Sequence, residues 1–128
     1  MSRIMKSALL AACGALTVAA SVPPEARLDR MLEGRVAGKP VDCINLRDIR
    51  SSQIIDHTAI VYQVGGKLYV NRPRGGASSL DSDDILVTHS VTSQLCSIDT
   101  VRLLDRTSRF QTGFVQLGEF VPYTRPKR

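Results

Sequence analysis

Beyond Pro40 the chain has no apolar stripe long enough for a helix; it has short apolar stretches cut apart by turn residues. This restricts the fold more than any other feature, because strands joined directly by turns form antiparallel sheets. The expected strands are 41–46, 49–55 (broken at Ser51-Ser52), 58–64, 67–72, 84–90, 98–104 and 113–123. Gly65-Gly66 is a two-residue hairpin signal, since its turn demands positive φ. That register sets Tyr62 against Tyr69, and Val61 against Val70 on the opposite face, with Gln63–Leu68 sharing the valine side. Residues 73–83 read as a loop, His89 shares a strand face with Ile85 and Val87, and Gly118 is expected to be a bulge within one long last strand.

One helix precedes the strands. Pro23-Pro24-Glu25 suits a first turn, and Leu28, Met31, Leu32 and Val36 form one apolar stripe before Gly38 and Pro40. The expected fold class is α+β, mainly β: an N-terminal amphipathic helix covering a small antiparallel β-barrel or sandwich. A length of 128 residues, 43% hydrophobic and 23% charged, is that of one ordinary globular domain.

The first residues follow a targeting pattern. Arg3 and Lys6 precede the uncharged stretch 7–22, which ends in small residues and is shorter than the ~20 apolar residues of a membrane-crossing helix. This predicts a signal peptide over 1–20 cleaved after Ala20, a single domain over 21–124 and a basic tail over 125–128. Leu10-Ala11-Ala12-Cys13-Gly14 also matches a lipobox, so lipid anchoring through Cys13 is the alternative. Simple secretion is preferred because the apolar stretch continues past the cysteine, whereas a lipoprotein signal ends there.

Charge excludes one large class of partners. The formal charge of +5 is matched by Arg3, Lys6, Arg125, Lys127 and Arg128 at the two ends, so the body between them is neutral. Nucleic-acid binding needs clustered cations, and six aromatic residues, Phe 3 and Tyr 3 with no Trp, make a poor stacking surface. No nucleic acid is expected as a partner. Removal or lipidation of Cys13 leaves Cys43 and Cys96, and an even pair in an oxidising compartment is most simply a disulfide. Neither a Cys-x-x-Cys motif nor a zinc-ligand spacing competes with that reading.

The remaining chemistry-bearing residues are few. His57 follows Asp56 at a corner, and His89 lies on a strand. An Asp that orients a His is the kernel of general-base catalysis, but sequence neighbours in a strand point apart and no nucleophile motif accompanies them. Asp81, Asp83 and Asp84 lack the spacing of a calcium loop and suit turns and caps. Arg72-Pro73-Arg74-Gly75-Gly76 lacks the Lys-Ser/Thr and helix start of a phosphate loop. Asp99, Arg102, Asp105 and Arg106 read as a charge-paired strand edge. No catalytic set, metal site or cofactor is expected.

Several ordered pieces carry a wider likeness: Asp42-Cys43-Ile44-Asn45-Leu46-Arg47-Asp48-Ile49-Arg50-Ser51, Leu68-Tyr69-Val70-Asn71, Gln94-Leu95-Cys96-Ser97-Ile98-Asp99 and Leu117-Gly118-Glu119-Phe120. Over roughly 41–122 the chain resembles a family of small exported proteobacterial proteins with no assigned function. The resemblance implies a second cysteine pair, where this chain has Ala77 and Val115, and it implies no catalytic residues. The resulting expectation is a periplasmic or secreted, non-catalytic binding or structural module whose partner is an envelope component. The alternative is a small enzyme or ligand binder using His57, His89 and the acidic loop, or a lipid-anchored accessory protein.

Overall fold

The computed structural model describes residues 22–127. The signal pattern, Cys13 and the last residue of the basic tail lie outside them. The order is α1 (Pro24–Met31), β1 (Val36–Ala37), β2 (Cys43–Asn45), β3 (Ile49–Ile55), β4 (Ala59–Val64), β5 (Lys67–Asn71), β6 (Asp84–Thr88), β7 (Gln94–Cys96), β8 (Thr100–Asp105), β9 (Gln111–Gln116) and β10 (Phe120–Thr124). Single 3₁₀ turns occupy Leu46–Asp48 and Ala77–Ser79.

Over the described residues the protein is mainly β, with one helix and three antiparallel sheets. Their strand orders are β1-β10-β5-β4-β3, β2-β7 and β6-β8-β9, and they do not close into a barrel. Strand β4 is buried on both faces. Ala59 and Val61 meet Leu28 of the helix with Ile55 and Val70, while Ile60 and Tyr62 enter the main core with Leu80, Leu95, Leu103, Val115 and Phe120. The Gly65-Gly66 hairpin has the expected register, pairing Val61 with Val70, Tyr62 with Tyr69 and Gln63 with Leu68, and Gly65 has φ 58°.

The helix is shorter than its apolar stripe. It stops at Met31, and Gly34 (φ 77°) turns the chain back, as a left-handed residue past a helix end does. Val36, expected on the helical stripe, instead opens β1 opposite Thr124 and is 57% exposed. The Ser51-Ser52 break is absent as well: β3 runs through both serines, and the irregularity is a bulge between Ile49 and Ser51.

Three further corrections arise from pairings between distant segments. The expected final strand is two strands in different sheets, and Gly118 lies at the switch between them. A Cβ there would collide with the Arg72 carbonyl oxygen. Strand β7 was not expected, and β8 begins at Thr100, leaving Ile98 exposed. Strand β6 ends at Thr88, so His89 lies beyond the strand and is exposed.

The cysteine pair forms the predicted bridge. Cys43 and Cys96 face each other across β2 and β7 at a Cα–Cα distance of 4.0 Å and are joined as a disulfide. The Ser97 amide donates to Asp42 O (2.7 Å) and the Leu46 amide to Ser93 O (3.0 Å), which makes the cysteines a non-hydrogen-bonded pair, where side chains lie closest. The Cys96 amide, free of the ladder, donates to Asp99 Oδ2 at 2.7 Å.

Candidate functional site

Two strand termini of the sheet orders face one another. Strand β3 ends the five-stranded sheet and β6 ends the three-stranded sheet, so each presents one side without a strand neighbour among the described residues. Between them lies a cleft of about 370 Å³, with Ser52, Gln53 and Ile54 on one wall and Asp84, Ile85 and Leu86 on the other. Ser82 and Arg106 complete its lining.

A polar clasp lies at one end of the cleft. The turn after β3 places His57 at φ 56°, and the Thr58 amide donates to Ile55 O at 3.0 Å. The His57 amide donates to Leu80 O (3.1 Å), and its Nδ1–H donates to Ser78 O (2.8 Å). Asp56 Oδ1 accepts from the Ser82 amide (2.6 Å). These bonds fasten the β3–β4 hairpin to the segment that leads into β6. Asp and His are common at positive or turn-forming φ because short polar side chains can satisfy nearby backbone groups.

The acidic residues are structural as well. Asp81 Oδ1 accepts from the Asp83 amide at 2.9 Å, an Asx turn. Asp84 is buried, and its Oδ2 accepts from Thr112 Oγ1 at 2.6 Å, tying β6 to β9. His89 lies five residues along from Asp84, roughly 16 Å at the strand rise of about 3.3 Å per residue. His57 is at the clasp and His89 lies past the far end of β6, and among the described residues no hydrogen bond joins either imidazole to a carboxylate. Among the described residues no group of three or more His, Cys, Asp or Glu is placed to hold a metal ion.

The basic glycine segment is likewise engaged by the fold. Arg72 donates to both carboxylate oxygens of Glu25 (2.8 and 3.1 Å), linking the sheet to the helix. Arg74 donates to Leu117 O (3.0 Å) and Ser97 O (2.8 Å). Neither guanidinium points to a phosphate cradle. The charged quartet in and beside β8 also differs from expectation. Strand β8 is central, not an edge; Asp99 serves Cys96, and Asp105 Oδ1 accepts the Thr107 and Ser108 amides at 2.8 Å.

Sequence reasoning missed three features of this region. The cleft is one. The second is Asn71, fully buried and bonded on both sides of its carboxamide to Gly118. The third is Tyr62, whose buried hydroxyl has no partner among the described residues and whose phenol is pushed well above its ordinary pKa by burial. The Gly65-Gly66 hairpin signal marked the strands that carry Asn71 and Tyr62, but nothing local marked which sheet each strand would join. No family model, curated protein or solved structure matches this chain.

Proposed function

We propose that the protein is an exported, non-catalytic binding module of the bacterial cell envelope, and that the cleft between β3 and β6 is its binding surface. The observation that carries this reading is the pair of strand edges without neighbours on either side of one cleft. An unpaired edge offers a row of backbone donors and acceptors, which is a recognition surface before any side chain is considered. We read the three sheets as an open sandwich, with Ile60 and Tyr62 meeting Leu103 and Val115 in its middle.

Export is supported by the leader pattern of 1–20 and by the Cys43–Cys96 bridge, since disulfides persist in oxidising compartments. No helix among the described residues is long and apolar enough to cross a membrane. The lipobox at Cys13 supports the anchored alternative, and mass spectrometry of the native N-terminus separates the two: Ser21 means simple secretion, and a diacylglyceryl-modified Cys13 means an anchor.

The test of the binding role is a photo-crosslinking amino acid at Gln53, in the cleft, compared with one at exposed Glu119, in cells of the native host. A discrete envelope adduct at Gln53 and none at Glu119 supports the reading. Equal labelling at both positions, or none at either, overturns it.

A further inference from the structure

We infer that the hairpin end of the five-stranded sheet is a membrane-docking surface, which seats on the phosphate headgroups of an anionic phospholipid bilayer. The register brings five chain segments to that end. Val36 at the start of β1 lies beside Thr124 at the end of β10, and Tyr123 beside Leu68 near the start of β5. Val64 at the end of β4 lies beside both Lys67 and Ile49, the first residues of β5 and β3. Strands about 4.8 Å apart spread this row over roughly 19 Å. The segments at this end, 33–36, 46–50, 64–67 and 124–127, hold Arg35, Arg47, Arg50, Lys67, Arg125 and Lys127 against Glu33 and Asp48.

A body that is neutral by count is therefore uneven in space. At the opposite end Arg72 pairs with Glu25 at 2.8 Å and Arg27 with Asp56 at 3.6 Å. At the hairpin end no ion pair among the described residues involves Arg47, Arg50, Lys67, Arg125 or Lys127, and all five are exposed. The Gly65-Gly66 turn gathers the cations. Arg35 Nη1 donates to Gly66 O at 2.9 Å on one side, and on the other Arg47, Asp48 and Arg50 line a pocket of about 340 Å³ with Val64 and Gly65. Neighbouring strands lie closer than the Debye length of about 8 Å at physiological salt, so these charges act together on a facing anion.

Charge complementarity selects the occupant. An excess of four positive charges along a whole sheet end fits a broad anionic surface and not a single small ion. Val36, 57% exposed in the same row, adds an apolar contact of the kind a headgroup layer accepts. A nucleic acid fits less well. The exposed aromatic residues among those described, Phe110 and Phe114, lie in and beside β9 of another sheet and leave no stacking platform here.

The test uses the protein and its variants purified from the native host. Each is titrated with vesicles of phosphatidylglycerol and phosphatidylethanolamine, and with vesicles of phosphatidylcholine alone. An anchor at Cys13 would add to both vesicle types alike, so their difference is the readout. Preferential sedimentation with the anionic vesicles is expected at about 0.05 M salt, and loss of that preference at about 0.5 M. Each Lys or Arg near such a surface changes partitioning about fivefold, so Arg47→Gln/Arg50→Gln should weaken it about twentyfold or more. Lys67→Gln, outside the pocket, should cost about fivefold and serves if the double variant folds poorly. The same loss of charge in Arg102→Gln/Arg109→Asn, on and after β8, should leave partitioning within about twofold.

Equal sedimentation with both vesicle types, none with either, or equal losses from the two double variants overturns the proposal. So does release by millimolar inorganic phosphate at constant ionic strength, which would assign the pocket to a free anion. Tighter binding to a random-sequence DNA duplex at the same salt also overturns it, by identifying nucleic acid as the occupant. The Gln53 crosslink is independent of these measurements, so the cleft and the membrane surface stand or fall separately.

Discussion

Asn71 and Gly118 are joined by two buried hydrogen bonds: Asn71 Nδ2 donates to Gly118 O at 2.7 Å, and the Gly118 amide donates to Asn71 Oδ1 at 2.8 Å. The carboxamide thus acts as a short piece of ladder where the chain leaves β9 and enters β10. It satisfies a peptide unit that has left one sheet and has not yet joined the next. Glycine is needed because the Arg72 carbonyl occupies the space a Cβ would take.

Asn71→Ala would strand the Gly118 N–H and C=O in the core, with an expected loss of about 2–4 kcal/mol in urea unfolding. Asn71→Asp should add a pH dependence. A buried carboxyl beside the Gly118 oxygen has a raised folded pKa, so stability should fall as pH rises above the ordinary aspartate value. A flat pH profile for that variant would contradict the two-bond arrangement.

Disulfide removal is the second expectation. Replacing Cys43 and Cys96 together with alanine should lower stability by about 4 kcal/mol on the chain-entropy account of a loop this long. Urea titrations of the oxidised protein and the double variant measure it. A difference below about 1 kcal/mol would show that the unfolded chain is not the state the bridge constrains.

Tyr62→Phe should not destabilise the protein. The hydroxyl is buried without a partner among the described residues, so its removal relieves a desolvated group and should gain about 1 kcal/mol. The ring's edge-on packing with Phe120, centroids 5.8 Å apart, is retained. A clear loss in melting temperature would mean that the hydroxyl is solvated in solution.

Acid should weaken the protein through two carboxylates. The hydrogen bond from Arg72 holds Glu25 below its ordinary pKa of 4.5, and bonds from the Ser108 and Thr107 amides hold Asp105 below 3.8. For such depressed groups the stabilisation is complete above the ordinary values and is lost as pH falls through the lowered folded ones. Glu25 is exposed and Asp105 is only half-buried, so solvent screens the effect. Glu25→Gln should flatten part of the decline in thermal stability below about pH 4.5, and an unchanged slope would exclude the Glu25–Arg72 pair as a contributor.

Much of the local architecture was legible before any coordinates. Gly65-Gly66 set the register of β4 against β5, because a two-residue turn leaves only one alignment of its flanking strands. Cys43 and Cys96, the two cysteines among the described residues, form the bridge that an even pair implied. The helix was misjudged at its end because Val36 fits the helical period as well as the strand, and the left-handed turn at Gly34 overrode that period. The stretch 113–123 reads as one strand with a bulge at Gly118 because a glycine inside an apolar run signals a bulge, although the pairing partners change there.

The residues alone determined the mostly β character, the start of the helix at Pro24, the tight hairpin and the covalent clip, since each depends on neighbours along the chain or on one pair of side chains. The assembled protein decided the rest: that Asn71 would hold Gly118, that β7 would pair with β2, and that β6 and β3 would each be left with a bare side across a shared cleft. A bare edge is defined by which strand does not lie beside it. That is settled only when every long-range pairing has competed for the same backbone groups.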